Sequence, residues 1–130
     1  MSDADAQPPA EKNVLGGALL SCSYAPLTGY FRDGCCATRG VEGVAHLVCV
    51  KVTAEFLEFS RARGNDLSTP HPELRFRGLK PGDRWCLHVL RWVEAWEAGM
   101  APQVVLEATH ENVLKHAPLN ALKLHALDLH

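Results

Sequence analysis

Apolar positions run along the chain in two rhythms. Val44-Ala-His-Leu-Val-Cys-Val-Lys-Val52 is β-branched and almost continuously apolar, which predicts a central strand covered on both faces. At Thr53, a helix-capping residue, the period changes. Over Ala54–Arg63 the residues Phe56, Leu57, Phe59 and Ser60 form one stripe, while Glu55, Glu58 and Arg61 face water. Gly64-Asn65 ends that helix with residues that tolerate the left-handed conformation. Alternation returns in Arg84–Trp92, a second strand with Trp85, Leu87 and Val89 on one face and Cys86, His88, Leu90 and Trp92 on the other. Val93–Ala98 reads as a short helix closed by Gly99, and Pro102–Ala108 as a third strand. Thr109 then caps a helix over His110–Ala117, which Pro118 stops. A last amphipathic helix covers Leu119–Leu127, with Leu119, Leu122 and Ala126 on its stripe.

Between these elements lie two long irregular stretches. Tyr24–Gly43 is rich in turn residues and carries Cys35 and Cys36 at its middle, and Asp66–Gly82 contains Pro70, Pro72 and Pro81. A structureless loop as long as the first is uncommon in a compact domain unless it has a task. Residues 1–12 are rich in Ser, Asp, Pro and Ala and read as a disordered leader, which leaves 13–130 as one globular domain. The expected fold class is α+β: a small domain with a mixed or antiparallel sheet of about three to five strands and three to four helices.

Composition narrows the function. Of 130 residues 47% are hydrophobic, and 13 Lys+Arg against 15 Asp+Glu leave a net charge of −2, which argues against a nucleic-acid partner. No apolar run approaches the roughly 18 residues of a membrane span, and the N-terminus has no secretion signal, so the expected location is cytoplasmic. In a reducing compartment the five Cys are expected as thiols, an odd number for a disulfide framework. Phosphate-cradling glycine loops, the nucleophile elbow and the helical zinc-protease motif are all missing.

Several ordered segments are shared with a known family. Asn13-Val-Leu-Gly16, Pro26-Leu-Thr-Gly29 with Arg32-Asp-Gly-Cys-Cys36, and Glu55-Phe-Leu with Gly64-Asn-Asp-Leu-Ser-Thr-Pro70 fit its pattern. So do Gly78-Leu-Lys-Pro-Gly-Asp-Arg-Trp-Cys86 and Val105-Leu-Glu-Ala-Thr-His110. Across about 13–117 the chain resembles the bacterial domain-of-unknown-function family numbered 2237. The resemblance implies a small single-domain α+β protein and no established activity. Where the family pattern has Cys-x-Cys, this chain has Cys86-Leu-His88, which keeps a metal-ligand type and counts against a dithiol role.

Chemistry can sit in a few places. Cys35-Cys36 follows an Asp-Gly turn and offers thiolates to an electrophile or a soft metal, although a free Cys is more often simply buried. Cys86 and His88 stand two apart on one strand face, so both can reach one ion or one pocket. Candidate ligands for a metal, zinc first, are therefore Cys35, Cys36, Cys86 and His88, with Cys22 a further thiol if the segments converge. His46 and Cys49 stand three apart, on opposite faces, and are not expected to share a metal. Candidate catalytic groups are Cys35, Cys36, Asp66 and His110, the last placed in a first helical turn that favours a neutral imidazole. A small ligand is expected at Arg32, Asp33, Asn65, Asp66 and Arg84. The blander expectation pairs Asp33, Asp66 and Asp83 with Arg32, Lys80, Arg84 and Arg91 as turn-anchoring ion pairs.

These groups suggest three functions. The leading one is a small-ligand or metal-binding protein with a Cys/His site. Its alternatives are a small thiol-dependent or acid/base enzyme, and a non-catalytic homodimeric interaction module built on the C-terminal helix and Trp85, Trp92 and Trp96.

Overall fold

The structure is a computed structural model, and it describes residues 11–128. Most of the expected leader lies outside the described residues. Its last two, Glu11 and Lys12, are placed in the fold, Lys12 through a bridge to Ala18.

The central strand is β1, His46–Lys51, and it is flanked on both sides. Antiparallel pairing joins it to β2 (Arg84–His88) on one edge and to β3 (Gln103–Val104) on the other. Cys49 stands opposite Cys86 and Val50 opposite Trp85, while a one-residue irregularity between His46 and Val48 brings His46 opposite His88. Such a bulge re-aims the side chains around it. With helices α1 (Ala54–Ala62), α2 (Val89–Glu97) and α3 (Leu119–Leu124), the chain is a small α+β fold with a three-stranded antiparallel sheet.

Alternation along β1 and β2 divides the interior in two. Val48, Val50 and Leu87 join Phe56, Trp92, Leu106 and Leu122 in the larger core. Cys49 and Cys86 enter a smaller cluster with Cys22, Cys36, Val105 and Ala108. The α1 prediction holds closely: Thr53 Oγ1 accepts from the Phe56 N–H at 3.0 Å, and Phe56, Leu57 and Ser60 are buried.

Three expectations need correction. The second strand stops at His88, and Val89–Trp92 opens α2 instead. His88 Nδ1 accepts from the Leu90 N–H at 3.1 Å and so caps the new helix. Alternation at 88, 90 and 92 hid the helical spacing of Val89, Trp92, Val93 and Trp96, and in the helix Leu90 is exposed while Trp92 is fully buried. The third strand is only two residues long, because the chain turns into a 3-10 segment at Leu106–Ala108.

Thr109 is no cap. It is buried, accepting from the Cys49 N–H at 3.1 Å and donating to the Val105 carbonyl at 2.8 Å. His110 caps in its place, through Nδ1 and the Asn112 N–H, and it opens a 3-10 segment, Glu111–Lys115, rather than an α-helix.

The long loop from Cys22 to Gly43 folds back over the β2 edge. Thr28 is fully buried in it, and its hydroxyl oxygen accepts from the Cys86 N–H at 2.9 Å. Gly29 comes next at φ +102°, where a Cβ would collide with the Cys35 carbonyl. Only glycine fits that position without moving backbone.

Candidate functional site

A cavity of about 390 Å³ opens along the β2 edge, where the returning loop leaves it uncovered. That volume lies within the usual range for small-molecule sites. Trp85 and His88 reach it from β2, His46 from the start of β1, and Arg91 from α2. The loop adds Tyr30 and Arg32, and the segment after α1 adds Asn65 and Leu67. Aromatic rings form the walls, and the polar groups are guanidinium, imidazole and amide. Among the described residues the lining contains no carboxylate.

Arg32 is the charged group best placed to meet a ligand. Its guanidinium carbon lies 5.5 Å from the centre of the Trp85 ring, its nearest polar contact is the Leu27 carbonyl at 3.5 Å, and it makes no ion pair among the described residues. Its backbone is left-handed at φ +55°, which is uncommon for a residue with a side chain and collects at functional sites. Arg91 is partly neutralised by Glu94 at 3.3 Å and donates to the Arg63 carbonyl at 3.2 Å.

The two imidazoles meet edge to face, 5.2 Å between centres. Burial holds both below the ordinary histidine range, aided by the neighbouring His88 for His46 and by Arg91 and His116 for His88. Both rings are therefore neutral at pH 7. His46 Nδ1 is buried and has no hydrogen-bond partner among the described residues. An orphaned polar atom of this kind costs about 1–3 kcal/mol.

The cysteines behave differently from the sequence expectation. Four of the five are paired, Cys22 with Cys49 and Cys36 with Cys86. Cys36 and Cys86 are therefore neither nucleophile nor thiolate ligand in this state, and the expected set of Cys35, Cys36, Cys86 and His88 does not converge on an ion. The reason is the sheet: it sets Cys49 beside Cys86, and the loop returns with Cys22 and Cys36 over both. Cys35 is the free thiol. It faces away from that cluster, toward Glu11, Asp33 and Arg39. Burial, with Asp33 and Glu11 nearby, raises its pKa against the opposing pull of Arg39, the reverse of what an activated nucleophile needs.

His110 pairs with a residue outside the candidate catalytic set. Its Nε2 lies 2.8 Å from Glu11 Oε1, and because Nδ1 accepts from Asn112, Nε2 is the donor. Glu11 also accepts from the Thr38 N–H and hydroxyl, both at 2.8 Å, and from the Arg39 N–H. Burial pushes the Glu11 carboxyl up, but these donors outweigh it and hold the pKa below the usual value. A depressed carboxyl stabilises the fold above its unfolded pKa near 4.5 and loses that contribution as pH falls. Glu11→Gln should therefore flatten the acid limb of stability below about pH 5, as read by urea unfolding at several pH values. An unchanged acid limb would count against the anchor.

The other expected site residues scatter. Asp66 accepts from the Ser68 and Thr69 N–H groups and from the Thr69 hydroxyl, a local turn with no catalytic partner. Asp33 pairs with Arg39 at 3.1 Å and Asp83 with Arg77 at 3.4 Å, so neither neutralises Arg32. Arg84 lies at the exposed end of β2, outside the cavity lining. Of the expected ligand-binding residues, the cavity takes Arg32 and Asn65. Cys86 and His88 also stand among the lining residues. His46, Tyr30, Trp85 and Leu67 were missed, and a strand histidine amid apolar residues was the one available signal. Trp92 and Leu122, offered as interaction surface, are fully buried in the larger core, and Trp85 and Trp96 pack against it.

No helix among the described residues is long and apolar enough to cross a membrane. No curated protein matches the chain. A family match does exist, and it spans residues 12–126, including the whole cavity, both bridges and His110. The chain belongs to the family DUF2237, described as an uncharacterized protein conserved in bacteria.

Proposed function

We propose that the protein binds a small anion with a flat apolar body, of the aromatic carboxylate class, in the cavity beside β2. The observation that carries this reading is Arg32: a guanidinium over the Trp85 ring that, among the described residues, has no carboxylate partner and lines a cavity without an acid. A carboxylate on the ligand meets the guanidinium fork in two parallel hydrogen bonds. Tyr30 and Trp85 supply faces for an aromatic body, and His88 Nε2–H and the Asn65 amide offer further donors.

Benzoate is the probe. For so small a ligand in such a pocket, a dissociation constant of roughly 1 mM is expected. It should be read by saturable shifts of the Trp85 indole and His46 and His88 ring resonances. Arg32→Ala should weaken binding by about 10-fold to 100-fold, the worth of a charge-assisted hydrogen bond. Because both imidazoles sit below the ordinary histidine value, protonating them at acid pH adds positive charge. Benzoate should accordingly bind more tightly as pH falls through the region below about 6.5, and show no such gain between about pH 7.5 and 6.5. Equal affinity in Arg32→Ala, or shifts confined to residues outside the cavity, sinks the reading.

A further inference from the structure

Cys49 and Cys86 face each other across adjacent strands, yet neither is bonded to the other. Each joins a cysteine of the returning loop instead, so four sulfurs are drawn into one buried cluster. The sulfurs of Cys22, Cys36 and Cys49 all lie within 4.8 Å of one another, and Cys86 is bonded to Cys36. All four residues are at most 5% exposed.

We propose that, once both bridges are reduced, these four cysteines form a closed zinc site. A tetrahedral Zn²⁺ with four thiolates at about 2.3 Å sets its sulfurs about 3.8 Å apart. Cys22 and Cys49 are bonded to each other and the Cys36 sulfur lies within 4.8 Å of both, so the sulfurs are already gathered at one point, and parting each bonded pair to that spacing makes room for the ion. Reduction of each bridge takes two electrons and two protons from a dithiol reductant, which leaves as its own disulfide. Zn²⁺ then displaces the four thiol protons to solvent as it binds. Four soft ligands and no open position make the site structural rather than catalytic. The metal would tie the loop to β1 and β2 as the bridges do, in the reducing setting where bridges do not persist. Cys35 is excluded by its position on the Glu11 side of the loop, although it is the immediate neighbour of Cys36.

The test uses the full chain without a histidine tag, reduced with excess dithiothreitol and desalted without oxygen. After Zn²⁺ is added and the excess removed, elemental analysis should find one zinc per chain. A thiol count should find one reactive group, Cys35, rising to five on chelation in denaturant. Co²⁺ in place of Zn²⁺ should give the thiolate-to-metal charge-transfer absorption of a tetrahedral sulfur site. Cys35→Ser should bind as the parent does, and Cys49→Ser should lose more than about 100-fold in affinity, beyond the loss seen for outer-shell partners. A desalted chain free of zinc with five reactive thiols overturns the proposal, as does loss of binding in Cys35→Ser. The thiol count on the unmodified chain decides the matter even if Cys49→Ser does not fold.

Discussion

Replacing Cys36 and Cys86 together by alanine should lower the stability of the oxidised chain by roughly 4 kcal/mol. The bridge joins positions 50 residues apart, and its loss returns the corresponding loop-closure entropy to the unfolded chain. Against a total of about 5–15 kcal/mol for a domain of this kind, that is a large share. The Cys22–Cys49 bridge closes a separation of 27, and its removal should cost less, about 3.5 kcal/mol. Chemical denaturation of the oxidised proteins measures both, and equal midpoints for parent and double variant would refute the claim that the bridge holds the fold. The same variant should also weaken benzoate binding. Cys86 lies in β2 and Cys36 in the loop that carries Tyr30 and Arg32, so the bridge holds one wall of the cavity against the other. If stability falls and benzoate affinity does not, the loop is held in place by Thr28 and its hydrogen bond to Cys86 alone.

Trp92→Ala should be comparably damaging, at about 3–5 kcal/mol. This side chain heads the fully buried set, and it stacks on Trp96 at 5.8 Å and meets the His125 ring edge-on at 5.6 Å. Its indole N–H donates to the Pro102 carbonyl at 3.3 Å, which ties α2 to the segment entering β3. Truncation leaves a void at the centre of the larger core and an unpaired carbonyl beside it. For a domain of this size the loss corresponds to roughly 10–20 °C in Tm. Trp92→Phe separates the two causes: it keeps most of the volume and removes only the hydrogen bond, for about 1–3 kcal/mol. If the alanine and phenylalanine variants unfold at the same temperature, the hydrogen bond rather than packing dominates at this position.

The fold was legible where its causes are local. The Val44–Val52 run, the Thr53 cap and the inner stripe of α1 each depend on residues within a few positions of one another, and each appears as read. The β2–α2 junction failed for a reason within the same range. His88, Leu90 and Trp92 satisfy strand alternation, whereas Val89, Trp92, Val93 and Trp96 satisfy helical spacing, and the imidazole of His88 tips the balance by capping the helix. Thr109 failed for a different reason. Its preference for capping gave way to a buried position between β1 and Val105, which only the packed sheet supplies.

The candidate site was less legible because its parts come from far apart. Arg32, Asn65 and His88 stand out as residue types, but local spacing relates His46 only to Cys49, its neighbour in sequence. Its actual neighbour is His88, brought opposite by a bulged register. Glu11 and His110 are 99 positions apart, and nothing in the composition of the first twelve residues marked Glu11 as an anchor.

The sequence by itself determined the α+β class, the central strand, α1 and the long cysteine-bearing loop, because propensity, capping and periodicity act over one or two turns of chain. Tertiary structure alone decided the partners. Which cysteine meets which, which carboxylate meets His110, and that Arg32 meets none among the described residues, all depend on strand pairing and on where the loop returns. Those contacts form between groups 27 to 99 residues apart, a distance over which local preferences carry no information about proximity.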